Sequence, residues 1–282
     1  MKNVLTIDVE DWYQGHDFHF AISKWASFED RVTVNTERIL DLLSQKGVKA
    51  TFFVLGCVAE RHPELVRRIA REGHEIGSHG YWHQMVSTMT EDEFRQDLVR
   101  TRNILEQTSG QKISLYRAPS WSITRETFWV LEILEDEGFL CDSSIQPFRT
   151  PLSGINGMPV VPFHPVINGK RLRLVEYPPT VLQLNGLRIP FSGGLYLRIL
   201  PLDFVSWALK KQNTKKKAGM IYVHPWEIDT EQPRLSAPAH IKFVHYYNLS
   251  STFSKLERLI ERFAFVPLGE LIQGSQFPDI AI

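Results

Sequence analysis

A parallel α/β sheet, open or closed into a barrel, is the fold this sequence predicts. Apolar, β-rich runs alternate with segments of helical period in the order β, α, β, α, β, α, β, α, β over the first half, a pattern that implies parallel strands with crossover helices. The helical segments carry start and stop signals of their own. Several strand ends carry polar residues of catalytic type, the place where parallel α/β architectures collect their sites.

The elements follow in order. "VLTIDVE" (4–10) reads as a buried strand ending in carboxylates. "RVTVNTERILDLLSQKG" places Ile39, Leu42 and Leu43 on one face and ends at Gly47, a C-cap glycine. "KATFFVLG" (49–56) reads as a second strand, and "HPELVRRIAREG" (62–73) as a helix with Pro63 in its first turn. "HEIGSHG" runs from strand into loop. Thr90 with Glu93 forms a capping box ahead of the apolar face Phe94, Leu98, Leu105. "ISLYRAP" reads as a strand, Thr124 to Gly138 as a helix, and "FLCDSS" as a strand. From about 147 to 200 Pro and Gly are frequent and the alternation fails; "LRLVEYP" is one short strand there. "PLDFVSWALKKQ", "GMIYVHPWE", "SSTFSKLERLIERF" and "FAFVPL" then read as helix, strand, helix, strand. With no internal repeat or low-complexity linker, one domain over 1–282 is expected, with the elaboration in residues ~145–282.

Composition bounds the function. Lys plus Arg and Asp plus Glu are 32 each, so no net field favours nucleic acid or an anionic membrane. Lys215-Lys216-Lys217 reads as a solvated turn. Cys57 and Cys141 are far apart with no CxxC, which suits buried thiols in a reducing compartment. The N-terminus lacks an apolar signal core, and no uncharged apolar run reaches ~18 residues, so a soluble cytoplasmic protein without an integral membrane segment is expected.

Four strand ends converge in the prediction. The first carries Asp8, Glu10 and Asp11, the third His79 and His83, the fourth Arg117 and Pro119, and the strand near 221 His224 followed by Trp226 and Glu227. A His-x-x-x-His pair on a helical turn puts both imidazoles on one face. Two histidines and one carboxylate suit a hydrolytic Zn²⁺, which lowers the pKa of water towards ~7. A second carboxylate is then available as general base, His224 as general acid, and Arg117 to keep the base ionised. Each residue also has a bland role open to it: Asp11 as a helix N-cap, Arg117 in a structural ion pair, His224 as a satisfied core histidine. Trp82, Trp121 and Trp226 lie beside these residues, suited to stacking on sugar rings or to aromatic core.

The stretches "TIDVEDWYQ", "ATFFVLG", "GHEIGSHGYWH", "YRAPSWSIT", "GFLCDSS", "IPFSGGLYLRILP" and "YVHPWEID" span residues 6 to 229. With them the chain resembles the NodB-type polysaccharide deacetylases, carbohydrate esterase family 4, in the branch with peptidoglycan-deacetylase-like and allantoinase-like members. "DVEDW", "SGGLYLR" and "HPWE" make it similar to the cytoplasmic deacetylases of exopolysaccharide loci associated with PEP-CTERM sorting. The resemblance implies a distorted (β/α)7 barrel and a divalent metal, zinc first, with Co²⁺ or Ni²⁺ as alternatives. It implies removal of an N-acetyl group from a sugar of a glycan or its lipid-linked precursor. It carries over His79 and His83 as metal ligands, Arg117 and Pro119 as the element bracing the base and lining the groove, and His224 as general acid. Trp121 and Trp226 are expected to contact substrate. The first motif departs from the family's adjacent aspartates: either Asp8 is the base and Glu10 the ligand, or Glu10 the base and Asp11 the ligand. Strand alternation puts Asp8 and Glu10 on one face. Two rivals remain open: a cyclic amide hydrolase of allantoinase type, and an inactive carbohydrate-binding protein on the same fold. "IPFSGGLYLRILP" is expected to shape an acceptor site or an oligomer contact, with Gly193 and Gly194 in a tight turn or close approach.

Overall fold

The strands of the main sheet all run parallel, as the alternation requires, and they curl into a partly closed half-barrel flanked by helices. The computed structural model describes residues 1–282. In chain order the first half is β1 (Lys2–Val9), α1 (Val32–Lys46), β2 (Thr51–Val54), α2 (Gly56–Arg61), α3 (Pro63–Arg71), β3 (Glu75–Ser78), α4 (Glu91–Ser109), β4 (Leu115–Tyr116), α5 (Trp129–Asp136) and β5 (Cys141–Asp142). The second half adds β6 (His164–Ile167), β7 (Lys170–Arg171), β8 (Val175–Glu176), β9 (Val181–Leu184), β10 (Leu187–Pro190), α6 (Gly194–Ile199), α7 (Leu202–Thr214) and β11 (Met220–Val223). It closes with α8 (Ala239–Tyr246), α9 (Leu249–Arg262), β12 (Ala264–Val266), α10 (Leu268–Ile272) and β13 (Asp279–Ala281).

The sheet order is β11-β1-β2-β3-β4-β5-β8, with β12 pairing the start of β1. The first strand is therefore an interior strand, one from the end of the path, and two of its three partners, β11 and β12, come from the far end of the chain. Beyond Lys2, β1 is buried throughout, as a strand covered on both faces must be. One apolar core of 52 residues takes members from Leu5 in β1 to Phe265 in β12, so the two halves share it.

A second, smaller cluster fills the inside of the curl: Val4, Phe53, Leu115, Cys141, Val175 and Met220, one from each of six strands. The period of two then continues outward along each strand. Val4 leads to Thr6, Asp8 and Glu10; Leu115 to Arg117; Met220 to Tyr222 and His224. The polar residues of the strand ends are thus the next layer of the same interior.

No strand pairs β8 with β11, and side chains bridge that gap. Thr180 Oγ1 accepts from Met220 N at 2.7 Å, and Tyr177 Oη donates to Ala218 O at 3.4 Å. At the gap Gly193 lies so close to the backbone of Tyr222 that a Cβ would fall 2.3 Å from its carbonyl oxygen, while Gly194 turns the chain at φ +56°. The two glycines divide the two expected jobs between them.

The elements absent from the sequence reading are short or irregular: α2, α6, α8 and α10, the hairpins β6–β7 and β9–β10, and β13. The expected helix from Thr124 to Gly138 is a 3-10 turn at Arg125–Thr127 followed by α5.

Candidate active site

Asp8 ends β1 with its carboxylate pointing into the curl. Arg117, one residue past β4, meets it there: Nη1 donates to Asp8 Oδ1 at 2.6 Å and to Thr6 Oγ1 at 2.8 Å. Nε and Nη2 reach Ser143 O and Ser143 Oγ. The guanidinium lies 4.3 Å from the Phe53 ring centre and 4.6 Å from that of Trp121. Both members of the pair are buried, so Asp8 has one oxygen fixed and the other, Oδ2, facing His224 Nε2 at 3.8 Å.

Glu10, His79 and His83 come together beside this pair, with one ligand atom from each lying within 4.8 Å of the other two. Glu10 Oε1 accepts from Trp226 Nε1 at 2.9 Å, while Oε2 is buried with the two histidine rings before it. Oε2 lies 2.6 Å from His83 Nε2 and 4.0 Å from His79 Nε2. Burial would raise the Glu10 carboxyl, but His83 and His224, with His79 behind them, hold it well below the usual carboxylate range. His79 Nδ1 donates to Arg117 O at 2.8 Å, which fixes the tautomer and leaves the Nε2 lone pair for a ligand bond. Burial pushes the His79 pKa down to about 4, so the ring is neutral, the form a metal binds. A buried carboxylate oxygen facing two imidazole nitrogens is a donor set that fits a divalent cation, and two His with one carboxylate suit zinc.

The spacing of His79 and His83 suggests a helical turn, but the structure has a loop here, with Gly80 at φ +75° and His83 at φ +54°. The left-handed residues, rather than a helix, aim both rings at Glu10. Ser120 and Trp121 on the facing wall are also left-handed, at φ +52° and +55°; such strain persists where the surroundings enforce it.

Asp11 is outside the group, which corrects its place among the expected metal ligands. Its Oδ1 accepts from Trp12 N, and its Oδ2 accepts from Arg31 N at 2.6 Å and Val32 N at 2.9 Å. It caps α1, whose own N-cap, Arg31, has no capping side chain. Asp11→Ala is expected to cost about 1–2 kcal/mol of stability in urea melts, as lost caps do, with metal content unchanged. Loss of metal would return Asp11 to the site.

His224 follows β11. Its Nδ1 is 2.7 Å from Glu227 Oε2 and its Nε2 is 3.7 Å from Glu10 Oε1. Burial opposes its charge, but Glu227, then Glu10 and Asp8, outweigh that and hold its pKa up to about 9.

The three remaining expected residues take different places at the site. Trp226 lines the cavity, with His224 stacked on its ring at 5.5 Å and His245 at 4.6 Å. It also anchors Glu10. Pro119 is buried against Gly80, and Ala118, Ser120 and Trp121 form the cavity wall in its place. Trp121 reaches the cavity, with the Arg117 cation on its ring.

The residues meet in a cavity of about 190 Å³ that opens to solvent. The sequence reading gave no role to three of its members. His16 stacks on His83 at 5.0 Å and bonds Ser120 Oγ at 2.7 Å. Glu227 sits three residues after His224, a capping-box spacing that was visible in "HPWE". Arg198 contacts Glu227 from 29 residues earlier, with no local signal.

Residues 23–138 match the family described as Polysaccharide deacetylase, and residues 143–273 match a Domain of unknown function (DUF3473). Among curated proteins, a peptidoglycan-N-acetylglucosamine deacetylase of Bacillus cereus is 43% identical over 98 residues, covering 34% of this chain and 36% of that protein. The chain spans about a third of the length of the curated relatives it matches first. Two solved structures share the fold. A Mycobacterium smegmatis chain described as a candidate polysaccharide deacetylase has TM-score 0.62 at 21% identity, over 96% of this chain and 88% of that one. Puue allantoinase has TM-score 0.63 at 17% identity, over 96% and 89%. The similarity to polysaccharide deacetylases thus lies in residues 23–138, and the solved structures share the parallel half-barrel that carries it.

Proposed function

We propose that the protein is a metal-dependent N-deacetylase that removes acetyl from an acetamido sugar of an exopolysaccharide or its precursor. The observation that carries this reading is the convergence of Glu10, His79 and His83 with the Arg117-held Asp8 and with His224 in one cavity. Glu10, His79 and His83 would hold the cation, zinc before cobalt or nickel. Bound there, a divalent cation supplies Lewis acidity towards a carbonyl and lowers the pKa of water.

The chain's own groups do the rest. Asp8 takes the proton of the attacking water through Oδ2, since Oδ1 is committed to Arg117. His224, protonated at neutral pH, gives its proton to the departing nitrogen as the C–N bond breaks. The products are acetate and a free amino sugar. Glu227 keeps the opposite ring nitrogen engaged.

The exopolysaccharide assignment rests on the similarity of "DVEDW", "SGGLYLR" and "HPWE" to that subgroup. We read the chain as one domain, because strands from both sides of residue 145 share a sheet. No helix is long and apolar enough to cross a membrane, and two free cysteines support a reducing, cytoplasmic setting.

The test is acetate release from N-acetylated chitooligosaccharides, run beside ring opening of allantoin. Acetate release should stop on dialysis against a chelator and return with Zn²⁺. Asp8→Asn should lower kcat by about 10²–10⁴-fold, the span of general-base catalysis, with metal retained. Allantoin opening without acetate release would put the cyclic amide hydrolase in its place.

A further inference from the structure

Arg198 is almost fully buried, at 1% exposure, and every nitrogen of its guanidinium is spoken for. Nε donates to Glu227 Oε1 at 2.9 Å. Nη1 donates to the carbonyls of His245 and Tyr247 at 2.8 and 3.0 Å, and Nη2 to that of Val244 at 2.6 Å. The side chain leaves α6, crosses over the Trp226 ring at 5.4 Å, and ends on the last turn of α8. Its own carbonyl is held by Asn248 Nδ2 and Lys255 Nζ.

Two lines run from this one fork into the cavity. Through Glu227 it fixes the Nδ1 side of His224, so that Nε2 faces Asp8 and Glu10. Through the His245 backbone it fixes the ring that stacks on Trp226, whose indole N–H holds Glu10. Arg198, Glu227 and α8 all lie within the region matching the domain of unknown function. Val244, beside His245, lines the cavity mouth.

The geometry points to Arg198 as a positioning residue that gives this region its role in the reaction: it locks α8 at the cavity mouth to the acid, His224, and to the metal-side carboxylate, Glu10. The inference deepens the deacetylase reading and rests on it. A buried cation with one carboxylate and three carbonyl partners could also be structural only, since removing it would strand them all. The test therefore needs readouts that instability alone does not move.

Arg198→Lys and Glu227→Gln are compared with wild type on N-acetylated chitooligosaccharides, with zinc content and melting temperature measured on the same samples. Arg198→Lys is expected to lower kcat by about 10–100-fold, the usual cost of losing a supporting contact, with KM within about twofold. Guanidinium at sub-denaturing concentration should restore part of kcat to Arg198→Ala by filling the vacated cage. In ¹⁵N spectra the ring signals of His224 should move in both variants. Unchanged kcat, or a fall that guanidinium does not relieve with His224 signals in place, overturns the inference. If wild type releases no acetate, the deacetylase reading fails by itself. The His224 signals then decide the positioning role: movement in Arg198→Lys upholds it and constancy overturns it.

Discussion

The double substitution His79→Ala, His83→Ala is expected to leave the protein without metal and without acetate release. Wild type should carry about one divalent ion per chain by elemental analysis, and the double variant close to none, because one carboxylate does not hold zinc in competition with water. The cation supplies several kcal/mol of transition-state stabilisation, so the rate should fall by about 10³-fold or more. The fold should survive better than the activity. The two rings sit on a loop, and His79 contributes one hydrogen bond to Arg117 O. Glu10 keeps the Trp226 N–H and His224. Wild-type protein that takes up no metal from excess Zn²⁺ would sink the whole scheme, and retained metal in the double variant would sink this site.

Arg117→Met is expected to do the most damage to stability. It removes a fully buried cation and leaves Asp8 buried with no countercharge on that side. Breaking such a pair costs about 3–5 kcal/mol, far above the contribution of exposed pairs such as Lys2–Glu270. Contacts with Ser143, Phe53 and Trp121 are lost with it. Urea unfolding should show the loss directly, and adding Asp8→Asn to the variant should recover part of it by removing the stranded charge. A loss below about 1 kcal/mol would mean that water reaches the pair, against its burial.

Much of this site could be read from local sequence because strands impose a period of two. Asp8 and Glu10 share a face for that reason, and the structure has them in one cavity. Asp11 was ambiguous because α1 takes its cap from 20 residues upstream, and nothing near Arg31 announces the missing cap. The histidine pair was visible, but its spacing fits a helical turn and a left-handed loop equally, so the conformation was misread. Nothing near Trp226 in the sequence reveals that His245 stacks on its ring. Arg198 had no sequence signal at all, since its partners are mostly backbone carbonyls. The first half of the fold followed from alternation of strands and helices. In the second half α7, β11, α9 and β12 were legible too, but the hairpins β6–β7 and β9–β10 were not, because their strands are two to four residues long and pair outside the main sheet.

The pairing of β1 with strands from the far end of the chain sets a timetable for synthesis. Glu10, His79 and His83 are all translated by residue 83, whereas His224 and the strands that flank β1, β11 and β12, come last. About 140 residues separate His83 from His224, roughly seven to thirty seconds of translation at ~5–20 residues per second. Through that interval the nascent chain holds Glu10, His79 and His83 beside an unpaired strand edge with one apolar face, the kind of edge that invites misassociation. Cotranslational capture by a chaperone, or a pause in translation before β11, would therefore bear on the yield of folded protein.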